Sequence, residues 1–145
     1  PIRRRRCLVP AAYFVEWRKE GKARLPYRIG RADGRPFMMA GVWDRWRGTH
    51  RGEAVDLISF SVLVTAANPL VGRLHDRMPV ILHPEDHATW LDGDMEAALA
   101  VAGSFPSQLM AAAPLDRRIN ASRNEGDPTL AEPQGPPLTA AGESG

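Results

Sequence analysis

A chain of 145 residues, 43% hydrophobic and 25% charged, has the size and composition of one folded domain with a real core and little room for a second. No apolar run reaches the length of a membrane-spanning helix. The opening PIRRRRCLVP lacks the apolar stretch of a signal peptide, so the sequence predicts a cytoplasmic protein. The net charge of +2 hides a division: residues 1–31 hold ten Lys and Arg against Glu16 and Glu20, and the remainder holds nine against fifteen acids, so the basic part comes first.

Arg6 to Ala11 reads as a short strand ended by Pro10. Its Cys7, the single cysteine, excludes an internal disulfide and a multi-cysteine zinc site, and fits a small buried apolar position better than a nucleophile. Tyr13 to Trp17 is a second strand. A period of two puts Tyr13, Val15 and Trp17 on one face and Phe14 with Glu16 on the other, so Glu16 is a carboxylate among apolar neighbours. Burial disfavours the charged form of a carboxyl, which suits it to proton transfer near neutrality. The alternative is an edge-strand glutamate satisfied by Arg18 or Lys19.

Arg18 to Arg24 is a polar turn around Gly21, and Pro26 to Arg31 is the return strand of a hairpin. Asp33-Gly34 marks the next turn. Pro36 to Trp46 is a long strand in which Gly41 signals a bulge or close backbone approach. Arg47 to Glu53 reads as loop, and Leu57 to Thr65 as a further strand. Consecutive antiparallel strands of this kind predict a meander rolled into a strongly curved sheet or small barrel.

The stretch Ser61 to Leu82, SVLVTAANPLVGRLHDRMPVIL, places polar residues between two apolar runs. Asn68-Pro69 has the pattern of an N-cap with proline at the first helical position, predicting a short helix over Leu70 to Leu74. His75, Asp76 and Arg77 follow, a titratable imidazole and a guanidinium held by a rigid frame and able to meet one ligand. A histidine closing a helix and an arginine paired on the surface is the plainer alternative.

After Leu82, His83-Pro84-Glu85-Asp86 starts a helix that runs to about Leu91, Asp92-Gly93-Asp94 breaks it, and Met95 to Ala102 forms a second. His83 and His87 stand four apart but lack the metalloprotease glutamate, so the pair reads as structural and no metal is expected. Leu109 to Leu115 is a last strand, and Ile119 to Glu125 a polar segment suited to bonding a loop or ligand. From Gly126 onward the proline and glycine content predicts a disordered tail over residues 126–145.

Four blocks, RCLVPAAYFVEW, VTAANPLVGRLHDRMPVIL, PEDHATWL and INASRNEGDPTLAEP, resemble in order and spacing the SOS-response-associated peptidase (SRAP) family. The resemblance implies an α+β fold with a curved, barrel-like, mainly antiparallel sheet flanked by short helices. It also implies shielding of abasic sites in single-stranded DNA by a covalent DNA-protein crosslink. In that chemistry an N-terminal cysteine attacks the ring-opened sugar aldehyde, its amine forming a Schiff base and its thiol closing a thiazolidine. The family's glutamate falls on Glu16 and its histidine on His75. Arg77 then suits a phosphate beside the lesion, with Thr65 and Trp17 as further DNA contacts. Residues 1–125 correspond to the later portion of such a domain, without the segment carrying the nucleophilic cysteine, so this chain alone is expected to form no stable adduct. No cofactor is implied.

Two other readings compete. The basic first third with Trp17, Trp43 and Trp46 as stacking groups would make a noncovalent single-stranded nucleic-acid-binding module. A cysteine peptidase proper ranks last, because Cys7 sits in an apolar strand.

Overall fold

The computed structural model describes residues 2–120, 128–140, 142 and 143. Strands β1 (Arg6–Ala11), β4 (Phe37–His50) and β5 (Glu53–Val62) form one antiparallel sheet in the order β1-β4-β5. The two-residue strand β8 (Ile81–Leu82) continues the β5 edge, meeting β4 at Met38 and Met39 where β5 no longer reaches. A second antiparallel sheet has the order β11-β10-β9-β3-β2. It is built from β2 (Phe14–Glu20), β3 (Ala23–Arg31), β9 (Met110–Pro114), β10 (Leu138–Thr139) and β11 (Gly142–Glu143). A separate ribbon pairs β6 (Val64–Ala66) with β7 (Arg77–Pro79).

The fold is mainly antiparallel α+β, as expected, but the simple meander is corrected. β1 pairs with β4, not with its neighbour β2, and the β2–β3 hairpin belongs to the other sheet. Among the described residues the sheets remain separate and do not close into a barrel. The reason lies in the alternation of β4. Phe37 and Met39 face a core shared with Tyr27, Ile29, Ile81 and Met110, while Ala40 and Val42 face one shared with Leu82, Trp90 and Ala98. A sheet apolar on both faces has to be covered on both. One cover is the second sheet; the other is the helix pair α1 (His87–Asp92) and α2 (Met95–Ala100).

Two further expectations change. Arg47 to Glu53 is not loop: β4 runs to His50, β5 begins at Glu53, and the connection is Arg51-Gly52, with φ of 52° and 81°. Paired positive φ values belong to the tight hairpin turn that matches strand twist, and Gly52 supplies the second without strain. The stretch expected as a disordered tail contains a 3-10 turn at Pro128–Ala131 and the β10 strand, and it buries Leu130 and Leu138. Two well-spaced leucines suffice to dock a proline-rich segment whose average composition reads as disordered. Most of the Ile119–Glu125 segment, residues 121–125, lies outside the described residues.

The basic first third is not one surface. Arg6 is buried: its Nε–H and Nη2–H donate to the carbonyls of Trp90 and Gly93, and Nη1–H to those of Ile2 (2.8 Å) and Arg3 (3.2 Å). It thereby ties β1 to the end of α1. Arg5 pairs with Asp44, Arg18 with Glu20 and Arg31 with Asp33.

Candidate functional site

The turn that carries His75 is held from below. Buried Asn68 accepts the Val71 N–H on Oδ1 at 2.9 Å, and its Nδ2–H donates to the Phe105 carbonyl at 2.7 Å. The side chain thus starts the turn as an N-cap does, although the helix is a single 3-10 turn, Val71–Arg73. Leu70, Val71 and Leu74 anchor its inner side in the core between the sheets. The Ser104 hydroxyl donates to the Ala66 carbonyl at 2.6 Å and fixes the adjoining β6 strand.

His75 follows as an exposed side chain with its ring orientation set. The Arg77 backbone N–H donates to His75 Nδ1 at 3.1 Å, and Nδ1 also lies 3.4 Å from an Asp76 carboxylate oxygen. These contacts all fall on Nδ1, so Nε2 is the nitrogen left for a ligand. The Arg77 carbonyl also lies 3.3 Å from Nδ1, so this nitrogen has a partner whether it donates or accepts.

Arg77 opens β7 opposite Ala66, and its exposed guanidinium has no carboxylate partner among the described residues. Thr65 lies opposite the buried Met78, on the inward face of the ribbon, whereas Arg77 points the other way. Glu16 sits half-buried on β2, opposite Tyr27. It shares its face with Phe14, which packs on the cluster that includes Leu70, Leu74 and Met78. Glu16 thus lies on the side of the second sheet that meets the His75 turn. Arg18 is paired with Glu20, so the expected alternative of an Arg18–Glu16 pair does not form.

Trp17, next in sequence, faces outward as the alternation requires. Its indole N–H donates to Asn120 Oδ1, and the Arg24 guanidinium lies 5.2 Å from its ring centre. The structure therefore groups His75 with Arg77 on the ribbon and leaves Glu16 on the face of the second sheet that turns toward the same core. Trp17 belongs to a different surface. Cys7 is half-buried in β1, and burial pushes its thiol above the ordinary value. A raised thiol is a poor nucleophile. Two features escaped the sequence reading: the role of Arg6 as a buried clamp, and the stacking of Arg28 on Tyr13 at 4.4 Å. Only the place of Tyr13 just before β2, one strand alternation from Val15 opposite Arg28, could have announced the second.

The family model described as SOS response associated peptidase (SRAP) matches residues 1–122. The chain belongs to the SRAP family. Among curated SRAP relatives, the abasic site processing protein YedK of Escherichia coli is 30% identical over 117 residues, covering 78% of this chain and 51% of its own length. Its counterpart YoqW of Bacillus subtilis is 34% identical over 93 residues, 63% of this chain and 40% of its own. A solved structure of a protein from Bacteroides thetaiotaomicron superposes with a TM-score of 0.81 at 31% identity, over 93% of this chain and 59% of its own. The chain thus spans about half or less of the length of these curated SRAP relatives. No helix among its described residues is long and apolar enough to cross a membrane.

Proposed function

We propose that this chain serves abasic-site processing in single-stranded DNA, in the cytoplasm, with covalent DNA-protein crosslinking as the chemistry of the full-length protein. The observation that carries the reading is the His75–Arg77 unit, an imidazole held by its Nδ1 contacts beside a guanidinium with no carboxylate partner among the described residues, in a chain whose curated relatives are named abasic site processing proteins. The ring-opened sugar of an abasic site presents an aldehyde next to a phosphate. An amine adds to the aldehyde carbon, its proton must leave, and the new hydroxyl departs as water to give the imine. Those two proton transfers need a base near the amine and an acid near the sugar oxygen. Glu16 takes the first role and His75, through Nε2, the second. Arg77 holds the neighbouring phosphate, whereas Thr65, expected from the sequence as a further DNA contact, faces inward opposite Met78 and takes no part. The amine and thiol of the family pattern belong to an N-terminal cysteine; Cys7 is not that residue.

The test uses an oligonucleotide with one abasic site, single-stranded or in duplex. Fluorescence anisotropy should show single-strand preference and affinity that falls steeply between about 50 and about 200 mM salt, with Arg77→Ala reducing both affinity and salt slope. On denaturing gels the full-length protein should capture the site, and Glu16→Gln or His75→Ala should slow capture by about a hundredfold or more. Salt-independent binding, or capture unaffected by both variants, would refute the assignment. Salt-sensitive binding without any capture would favour the noncovalent module, for which Arg5 over Trp43 and Arg24 over Trp17 are the supporting contacts.

A further inference from the structure

The outward face of the second sheet carries a cleft of about 320 Å³, on the opposite side of that sheet from Glu16. Its floor is Gly30, Ala111 and Ala113, three residues of β3 and β9 with nothing beyond a Cβ. Tyr13 and Arg28 form one wall and Arg31 another. A side chain at position 30 would be crowded, since a Cβ there would stand 3.0 Å from the Ala12 carbonyl oxygen. The floor is thus flat, and the C-terminal segment passes beside it, with the Ala131 carbonyl accepting Arg28 Nη1–H at 3.1 Å.

The charges in the cleft are unequal. Arg31 is neutralised by Asp33 through bonds of 3.0 and 2.6 Å. Arg28 is held in place by the Ala131 carbonyl and by the Tyr13 ring 4.4 Å away, and has no carboxylate among the described residues. A fixed, uncompensated guanidinium with free N–H groups is a phosphate ligand. The cleft, however, is far larger than one phosphate needs. A flat apolar floor beside an aromatic wall is suited to a planar ring, and the two requirements meet in one molecule.

We propose that this cleft binds a phosphorylated nucleoside, the base lying on Gly30, Ala111 and Ala113 and the phosphate on Arg28. The ligand is either a free mononucleotide or one unit of a DNA strand. The site is distinct from the His75–Arg77 unit and does not depend on the function proposed for it.

The experiment is a titration of the 145-residue chain with deoxyadenosine monophosphate, followed by amide nitrogen-proton correlation spectra. Saturable shifts are expected at Gly30, Ala111 and Ala113. Arg28→Gln and Ala113→Leu should each weaken binding by about tenfold or more, with thermal unfolding confirming that both remain folded. Inorganic phosphate and unphosphorylated deoxyadenosine should each bind more weakly than the nucleotide. Competition by an intact single-stranded oligonucleotide would make the strand the source, and its failure to compete would make the free nucleotide the ligand; both support the cleft. Absence of saturable shifts at the floor, or unchanged affinity in both folded variants, would overturn the proposal. So would weakening of nucleotide binding by Arg77→Ala, which would assign the ligand to the other site. If instead Arg77→Ala reduces oligonucleotide capture alone, the two sites are separate.

Discussion

Asn68→Ala removes the residue that holds the His75 turn, and its cost can be worked from two bonds. Loss of the 2.9 Å bond from the Val71 N–H to Oδ1 costs about 1 kcal/mol, the ordinary value of a cap. Loss of the 2.7 Å bond to Phe105 leaves a buried carbonyl without that donor, at about 1–3 kcal/mol. The sum is about 2–4 kcal/mol, a large share of the 5–15 kcal/mol typical of a domain. Urea denaturation at neutral pH should show this loss with an unchanged m-value. Asn68→Asp separates the two bonds: it keeps the acceptor for Val71, loses the donor to Phe105 and places a carboxylate against a carbonyl. Burial raises the folded-state pKa of such a carboxyl, so the native state binds more protons and stability should recover as pH falls to about 5. The alanine variant should show no such recovery. A loss below about 0.5 kcal/mol for Asn68→Ala, or an Asn68→Asp variant insensitive to pH, would refute the reasoning.

Arg6→Ala should destabilise by about 3 kcal/mol, because four carbonyls lose their donor, and Arg6→Lys should recover only part, since an ammonium lacks the fork that reaches Trp90 and Gly93 together; chemical denaturation reads both. Asp33 should stay ionised well below the usual value of about 3.9, since the Arg31 guanidinium and the Arg35 N–H both bond its carboxylate. Its folded value being depressed, its contribution to stability is present above the ordinary aspartate range and is lost as pH falls through the folded value; a carboxyl-carbon titration should show this, and Arg31→Gln should move the midpoint up. Cys7 should alkylate more slowly in the folded chain than in denaturant, and Cys7→Ser should leave oligonucleotide affinity unchanged.

The first half of the fold was legible wherever a local rule decides it. Arg6–Ala11 was read to the residue, and the Gly21 and Gly34 turns fall where glycine takes positive φ, 59° and 75°. Partner choice was not legible. Nothing local in β1 distinguishes β2 from β4 as its neighbour; the decision rests on β4 being apolar on both faces, which only the complete set of covering elements resolves. The Arg51-Gly52 turn was missed because β4 and β5 become polar and exposed toward the hairpin tip, so periodicity vanishes while hydrogen-bonded pairing continues to His50 and Glu53.

The site divides the same way. Asn68 and the turn after it follow from capping chemistry, and His75 and Arg77 from their place between apolar runs. That Nδ1 of His75 accepts from the Arg77 backbone depends on a ribbon closed by Ala66 opposite Arg77, a long-range pairing. Glu16 and Trp17 are adjacent in sequence, yet strand alternation sends one to the core shared with the His75 turn and the other to the outer surface with Arg24 and Asn120. A single DNA path touching both must therefore pass around the edge strand β2. The Tyr13–Arg28 cleft lies on the Trp17 side of that path. If Glu16 acts as proposed, oligonucleotides too short to round the edge should engage one face only, and Trp17→Ala in the full-length protein should then leave their capture unchanged while weakening the binding of longer strands.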